Sequence, residues 1–109
     1  MRKVLYFVAM AWLMAEAVHA GQIYGSVTEG GRGVAGAVIE IDCAGAVTRG
    51  STASDGSYRV NVPQQGRCMF TLAIQRQRGS VVVFSYPNPS QYDFEVGRRP
   101  DGSLELKRR

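Results

Sequence analysis

The chain has 109 residues, 45% of them hydrophobic, with 13 basic and 9 acidic side chains and a formal net charge of +4. Such a length fits one small domain. The charge excess is mild and scattered, and no aromatic platform motif accompanies it, so the composition argues against a nucleic-acid-binding protein.

The first twenty residues follow the pattern of a secretory signal. A basic pair at 2–3 precedes an apolar run at 4–15, which is shorter than the roughly 20 residues needed to span a bilayer. Small residues at Val18 and Ala20 then predict cleavage between Ala20 and Gly21. We therefore expect a signal peptide at 1–20 and one domain at 21–109, periplasmic or secreted, with no membrane span in the mature protein. A single anchoring helix is the alternative.

Two cysteines, Cys43 and Cys68, lie in the part that would be exported. An even pair in an oxidising compartment predicts one disulfide. Closing a loop of about 26 residues would stabilise a small domain by about 3 kcal/mol on the chain-entropy model. A metal pair lacks further ligands, because the one histidine, His19, belongs to the predicted signal.

From Gln22 onward, short alternating runs separated by turn residues predict an all-β domain. About seven short antiparallel strands in under 90 residues favour a two-sheet sandwich over a ligand-holding barrel. The predicted strands are 22–27, 38–43, 46–53, 58–62, 68–75, 81–84 and 92–96, with a short run at 104–106 that closes the sheet.

Alternation assigns the faces of these strands. Cys43 and Cys68 each share a face with the apolar residues of their strand, so we expect both thiols in the core, converging across the stacked sheets. The polar run at 46–53 is typical of an edge strand. The continuous apolar run at 81–84 predicts a strand buried on both faces, after a turn at 76–79.

The cluster Ser54-Asp55-Gly56-Ser57 could be a reactive loop, a metal loop or a turn. Asp55 stands alone between serines, whereas calcium loops repeat their oxygen ligands. A serine nucleophile needs a base, yet residues 21–109 contain no histidine, and their one lysine is Lys107 in a charged terminal run. Asp-Gly between alternating runs is a strong turn signal, so we interpret Asp55 and Gly56 as structural. No catalytic residue, metal site or cofactor is expected.

The segment after the apolar run at 81–84 offers a candidate binding surface. Tyr86, Pro87, Asn88, Pro89 and Tyr92 could present a rigid apolar patch to a sugar face or an extended peptide. The competing interpretation is a turn with Tyr92 buried in the core. A second alternative is strand addition by a partner at the edge strand 46–53.

Basic pairs and triplets occur near the end of the chain, at 98–99 and 107–109. We interpret the final triplet as a solvated tail, with attraction to an anionic cell surface as the alternative.

Four pieces of the chain resemble the carboxypeptidase regulatory-like domain: 23–27 (IYGSV), 33–41 (GVAGAVIEI), 52–63 (TASDGSYRVNVP) and Gly66. They match its G-x-V start, its G-x-x-V-x-G-A-x-V hairpin, and T-x-x-D-G-x-Y followed by V-P and a glycine. The resemblance covers roughly 22–75 and does not require the two cysteines. It implies a transthyretin-like (prealbumin-like), immunoglobulin-like β-sandwich without catalytic residues. In that family the domain accompanies zinc carboxypeptidases, outer-membrane receptors and surface proteins as a folding or interaction accessory.

Together these patterns predict a small exported, non-catalytic module with a structural or protein-interaction role in the cell envelope. An exported carbohydrate- or peptide-binding protein is the alternative. The partner would be an envelope protein or a glycan, and the oligomeric state stays open.

Overall fold

A computed structural model describes residues 21–109, which form ten β-strands in two sheets. The predicted signal and its last residue, Ala20, lie outside the described residues. No helix within 21–109 is long and apolar enough to cross a membrane. The strands are β1 (Gln22–Glu29), β2 (Arg32–Gly33), β3 (Val38–Cys43), β4 (Ala46–Ser51), β5 (Ser57–Asn61), β6 (Gly66–Ile74), β7 (Gln77–Ser85), β8 (Ser90–Gln91), β9 (Phe94–Arg98) and β10 (Leu104–Arg108).

The first sheet is built around β1. One edge of β1 pairs antiparallel with β5 and β2, and the other pairs parallel with the short β8 and with β9. Strand β10 then adds antiparallel to β9. The chain must cross to the other sheet and return before β1 finds these partners, so this sheet depends on contacts distant in sequence.

The second sheet has the order β4-β3-β6-β7 and is antiparallel throughout. Two tight hairpins make it. In the first, Ala44 and Gly45 both have positive φ, 55° and 92°, and in the second Gln75 has φ 57°. Positive φ in a two-residue loop matches the right-handed twist of the flanking strands.

The core lies between the sheets and is continuous. Its centre is a chain of aromatic rings: Tyr58 lies 5.5 Å from Phe70, Phe70 lies 4.9 Å from Phe94, and Phe94 lies 6.2 Å from Tyr92. The buried hydrophobic residues are Ile23, Val27, Ala37, Ile39, Ile41, Cys43, Tyr58, Val60, Val62, Cys68, Phe70, Leu72, Val83, Tyr92, Phe94, Val96, Leu104 and Leu106.

Tyrosine hydroxyls join the elements around this core. The Tyr58 hydroxyl donates to the Tyr92 carbonyl oxygen. Burial, followed by the nearby Asp93 carboxylate, raises the pKa of Tyr58, so the hydroxyl keeps the proton that it donates. The Tyr92 hydroxyl accepts from the Phe84 N–H at 3.0 Å and donates to the Phe84 carbonyl at 3.3 Å. It thereby ties the first sheet to the backbone of β7.

The predicted all-β sandwich is confirmed, and the alternation at 38–43 and 58–62 gives the faces that the structure shows. The expectation of a wholly antiparallel arrangement is wrong, because β1 runs parallel to β8 and β9. The strand count is ten rather than seven. Two of the additional strands have only two residues each, too few to produce an alternating pattern.

Strand β7 differs from its prediction in where it begins and in how its side chains are buried. The turn occupies Gln75 and Arg76, so the predicted turn at 76–79 already lies mostly within the strand. The run 81–84 is not buried on both faces: Val83 is fully buried, whereas Phe84 is 42% exposed. The reason is that nothing among the described residues covers the outer face of this sheet, so alternation applies here too.

The basic end of the chain belongs to strand β10 and is not a loose tail, although its three basic side chains are exposed as expected. Arg108 lies opposite Phe94 in β10, and its guanidinium stacks over the Tyr92 ring, 4.4 Å from the centroid. The Arg109 N–H donates to the Asp93 carbonyl oxygen at 2.8 Å. These contacts use Arg108 to cover one end of the core.

Candidate interaction surface

The disulfide joins Cys43 to Cys68, as predicted, with a Cα–Cα distance of 4.3 Å. Its placement corrects one expectation: the thiols do not converge across the stacked sheets. Asp42 pairs with Met69, which puts Cys43 directly opposite Cys68 on neighbouring strands of the second sheet. Both side chains are buried on the core face, so the bond fixes the β3–β6 register from inside.

The structure places Asp55 and Gly56 in a turn. The Gly56 N–H donates to the Ala53 carbonyl at 2.9 Å, and Gly56 has φ 87°. The Asp55 carboxylate accepts from the Ser57 hydroxyl at 2.6 Å and from the Ser57 N–H at 3.0 Å. These bonds lower the pKa of Asp55 and hold the carboxylate in the turn. Both hydrogen bonds of the Asp55 carboxylate therefore come from Ser57, within the turn.

The predicted binding segment divides into two parts. Tyr86 is 52% exposed, and Pro87, Asn88 and Pro89 are exposed as well. Tyr92 is 7% exposed, and its hydroxyl is engaged by the Phe84 backbone. Tyr92 therefore belongs to the core and is not part of the candidate surface. Its side chain points inward because it continues the alternation of Phe94 and Val96 in β9.

An apolar patch covers one end of the outer face of the second sheet. Register brings it together: Val47 pairs with Asp42, Asp42 with Met69, and Met69 with Val82. The Phe84 and Tyr86 rings stack at 6.4 Å beside this row. We call the set the outer apolar patch, and its exposed members are Val47 (50%), Met69 (40%), Phe84 (42%) and Tyr86 (52%).

An open depression of about 280 Å³ borders the patch at Met69, between β3 and β7. The Asp42 carboxylate at its wall accepts the Gly45 N–H at 2.8 Å. The lining residues are Asp42, Ala44, Arg67, Cys68, Met69 and Val82.

Next to the patch, the neighbouring row of the same face is charged and polar. Glu40 forms an ion pair with Arg49 at 3.0 Å and a second, longer ion pair with Arg78 at 3.6 Å. Thr71 and Ser80 hydrogen-bond to each other at 2.8 Å in the same row. The outer apolar patch thus ends at a polar border, which is how protein contact sites are usually bounded.

Strand β4 is an edge strand, as predicted, although it ends at Ser51. In an antiparallel pair, every second residue directs its N–H and C=O away from the partner strand. The free edge of β4 therefore presents unpaired backbone groups next to Val47, one member of the patch.

Sequence reasoning missed Val47 and Met69 as surface residues. Each is an apolar residue at a position that alternation assigns to solvent, Met69 between the inward-facing Cys68 and Phe70. That mismatch is a usable signal. It does not tell which such residues converge, because convergence depends on the strand order.

No protein-family model matches the chain, and no curated protein matches it either.

Proposed function

We propose that this protein is a small, exported, non-catalytic β-sandwich module that binds another protein of the cell envelope through the outer apolar patch. The observation that carries the proposal is the convergence of Val47, Met69, Phe84 and Tyr86 on one end of one sheet face. Soluble domains rarely leave several large apolar side chains adjacent and uncovered unless another surface binds them.

The chemistry of the described residues supports binding over catalysis. Residues 21–109 contain no histidine, and both cysteines are consumed by the disulfide. The Asp55 carboxylate accepts its hydrogen bonds from Ser57 in the same turn. The resemblance to the carboxypeptidase regulatory-like domain points the same way, since it implies an accessory immunoglobulin-like module without catalytic residues.

Export is part of the same proposal. A buried disulfide is compatible with an oxidising compartment, and the basic-apolar-small pattern of 1–20 supports cleavage after Ala20. Periplasmic location is the form of export that we propose.

The test is a capture experiment with matched variants. Phe84→Ser removes one of the two aromatic rings of the patch from an exposed position, so the fold should persist. Tyr24→Ser is the control, because Tyr24 is an incompletely buried aromatic residue on the outer face of the first sheet. Envelope proteins cross-linked to the wild type should be retained by Tyr24→Ser and lost from Phe84→Ser. Equal capture by all three proteins would refute the patch as the binding site.

A second candidate function is carbohydrate or peptide binding by the exposed end of the patch. The stacked Phe84 and Tyr86 rings, next to the rigid Pro87 and Pro89, are the observation that favours it. Titration with envelope glycans or proline-containing peptides should then shift amide resonances at 84–91. Shifts that persist in Tyr86→Ala would exclude this site.

A further inference from the structure

Gly21 begins the described chain in a position that no larger residue can occupy. It is buried, has φ 73°, and accepts the Val62 N–H at 2.8 Å through its carbonyl oxygen. A Cβ added at Gly21 would lie 1.7 Å from the Val62 carbonyl oxygen. The backbone of Gly21 is therefore in close contact with that oxygen.

The N–H of Gly21 points away from Val62 and toward the loop between β7 and β8. In a regular antiparallel pair, Gly21 and Val62 would exchange two hydrogen bonds. Here the Gly21 N–H donates instead to the Pro87 carbonyl at 3.4 Å. This links the start of β1 to the loop between β7 and β8.

The hydroxyl of Ser85 lies beside Gly21 and is buried without a hydrogen-bond partner among the described residues. The Ser85 side chain is 1% exposed, and its hydroxyl has no hydrogen-bond partner among residues 21–109. A Cβ at Gly21 would lie 3.2 Å from the Ser85 Oγ, so this oxygen borders Gly21. Buried hydroxyls without partners are uncommon in folded proteins and call for an explanation.

Cleavage of the predicted signal changes the chemistry at this point. Hydrolysis of the Ala20–Gly21 peptide bond consumes one water, and leaves a carboxylate on Ala20 and an ammonium group on Gly21. The uncleaved amide offers one N–H donor, whereas an ammonium group offers three. Two acceptors lie beside Gly21 for these donors, Pro87 O and Ser85 Oγ, whereas Val62 O faces the Cα of Gly21.

We propose that the Pro87 carbonyl oxygen and the Ser85 hydroxyl form an internal binding site for the α-ammonium group that cleavage creates at Gly21. The proposal rests on the export in the proposed function, and not on the outer apolar patch. The ammonium group would give Ser85 its missing partner and would strengthen the long bond to Pro87. Processing would thus fasten the loop that carries Tyr86 and Pro87 more tightly in the mature protein than in the uncleaved chain.

Amine reactivity tests this on the exported full-length product. The protein is expressed with its own residues 1–20 in a Gram-negative host, its N-terminus is determined by mass spectrometry, and an acetylating reagent is applied in buffer and in concentrated urea. Lys107 is the built-in reference, as the one lysine within 21–109 and an exposed one. We expect the Gly21 amine to react about tenfold more slowly in the folded protein than in urea, and Lys107 to differ by about twofold or less.

Two serine variants on β7 assign the effect. Ser85→Ala should bring the protection of the Gly21 amine down to about threefold or less, whereas Ser80→Ala, at an exposed position of the same strand, should leave it unchanged. A mature chain that starts elsewhere than Gly21, an amine that reacts equally fast folded and unfolded, or full protection in Ser85→Ala would each overturn the proposal. None of these outcomes depends on partner capture by the patch, so the two proposals fail separately.

Discussion

The outer faces of the two sheets are built from the same alternation and end up with opposite characters. On the first sheet, polar side chains satisfy one another: Gln22 donates to Asn61 at 3.3 Å, and the Asp93 carboxylate accepts from the Ser26 N–H at 2.9 Å. On the second sheet, the corresponding positions at one end are apolar and uncovered. The comparison shows which face covers itself with polar contacts and which face leaves apolar side chains exposed.

The sheets also differ in how they are held. The second sheet consists of sequence neighbours and carries the disulfide between β3 and β6. The first sheet gathers β1, β5, β9 and β10 from both ends of the chain. Hydrogen bonds lower the pKa of four carboxyl groups in this sheet or its turns, namely Glu29, Asp55, Glu95 and Asp101.

The largest effect should come from removing the covalent bond of the second sheet. In the double variant Cys43→Ala with Cys68→Ala, the free energy of unfolding should fall by about 3 kcal/mol, because the unfolded chain regains the freedom of the closed loop. Urea unfolding followed by circular dichroism measures it. An unfolding free energy equal to that of the wild type would show that the disulfide does not stabilise this sheet.

The next effect concerns the border where the sheets meet. A Cβ at Gly79 in β7 would lie 2.3 Å from the Leu104 carbonyl oxygen of β10, and a backbone atom there cannot move aside easily. Gly79→Ala should destabilise the fold by about 2 kcal/mol. Gly97→Ala is the matched control, since its nearest contact would be the Glu105 side chain at an ordinary 3.7 Å. Similar melting temperatures for the two variants would contradict the close approach of β7 and β10.

A smaller loss is expected when a single link between the sheets is cut. Tyr92→Phe removes the hydroxyl that bonds both backbone groups of Phe84, and should cost about 1 to 2 kcal/mol. Tyr24→Phe, on the outer face of the first sheet, should cost less than about 0.5 kcal/mol. If both variants unfold at the wild-type urea concentration, the link carries no stability.

The smallest effect is the acid response of the first sheet. Hydrogen bonds from the Ser57 side chain and backbone lower the pKa of Asp55, and Ser103 does the same for Asp101. A lowered pKa means stability that is present above the ordinary carboxyl value of about 4 and is lost as the pH falls through the lowered value.

Melting temperatures measured from neutral to acidic pH give this response. The wild type should lose stability below a pH of about 4, and Ser57→Ala should flatten the curve because it removes the first of the bonds that lower the Asp55 pKa. Curves that superimpose after normalisation at neutral pH would exclude a contribution from this turn.

Much of the fold follows from local pattern. Alternation placed Ile39, Ile41 and Cys43 on the core face, and the Asp55-Gly56 pair marked a turn, since side-chain direction and turn chemistry are set within a few residues. Local pattern failed where neighbours decide. Phe84 lies in an apolar run that looked buried on both faces, yet nothing among residues 21–109 covers the outer face of this strand.

The sequence by itself determined that the chain is all-β, that both cysteines face the core, and which side chains of most strands point inward. This is possible because side chains alternate between the two faces of a strand whatever its neighbours are. Only the tertiary structure decided that Cys43 and Cys68 are neighbours in one sheet, that β1 runs parallel to β9, and that Val47, Met69 and Phe84 share one surface. Strand order and register depend on contacts between residues far apart in the chain, and the energy of those contacts exists only once the sheets have assembled.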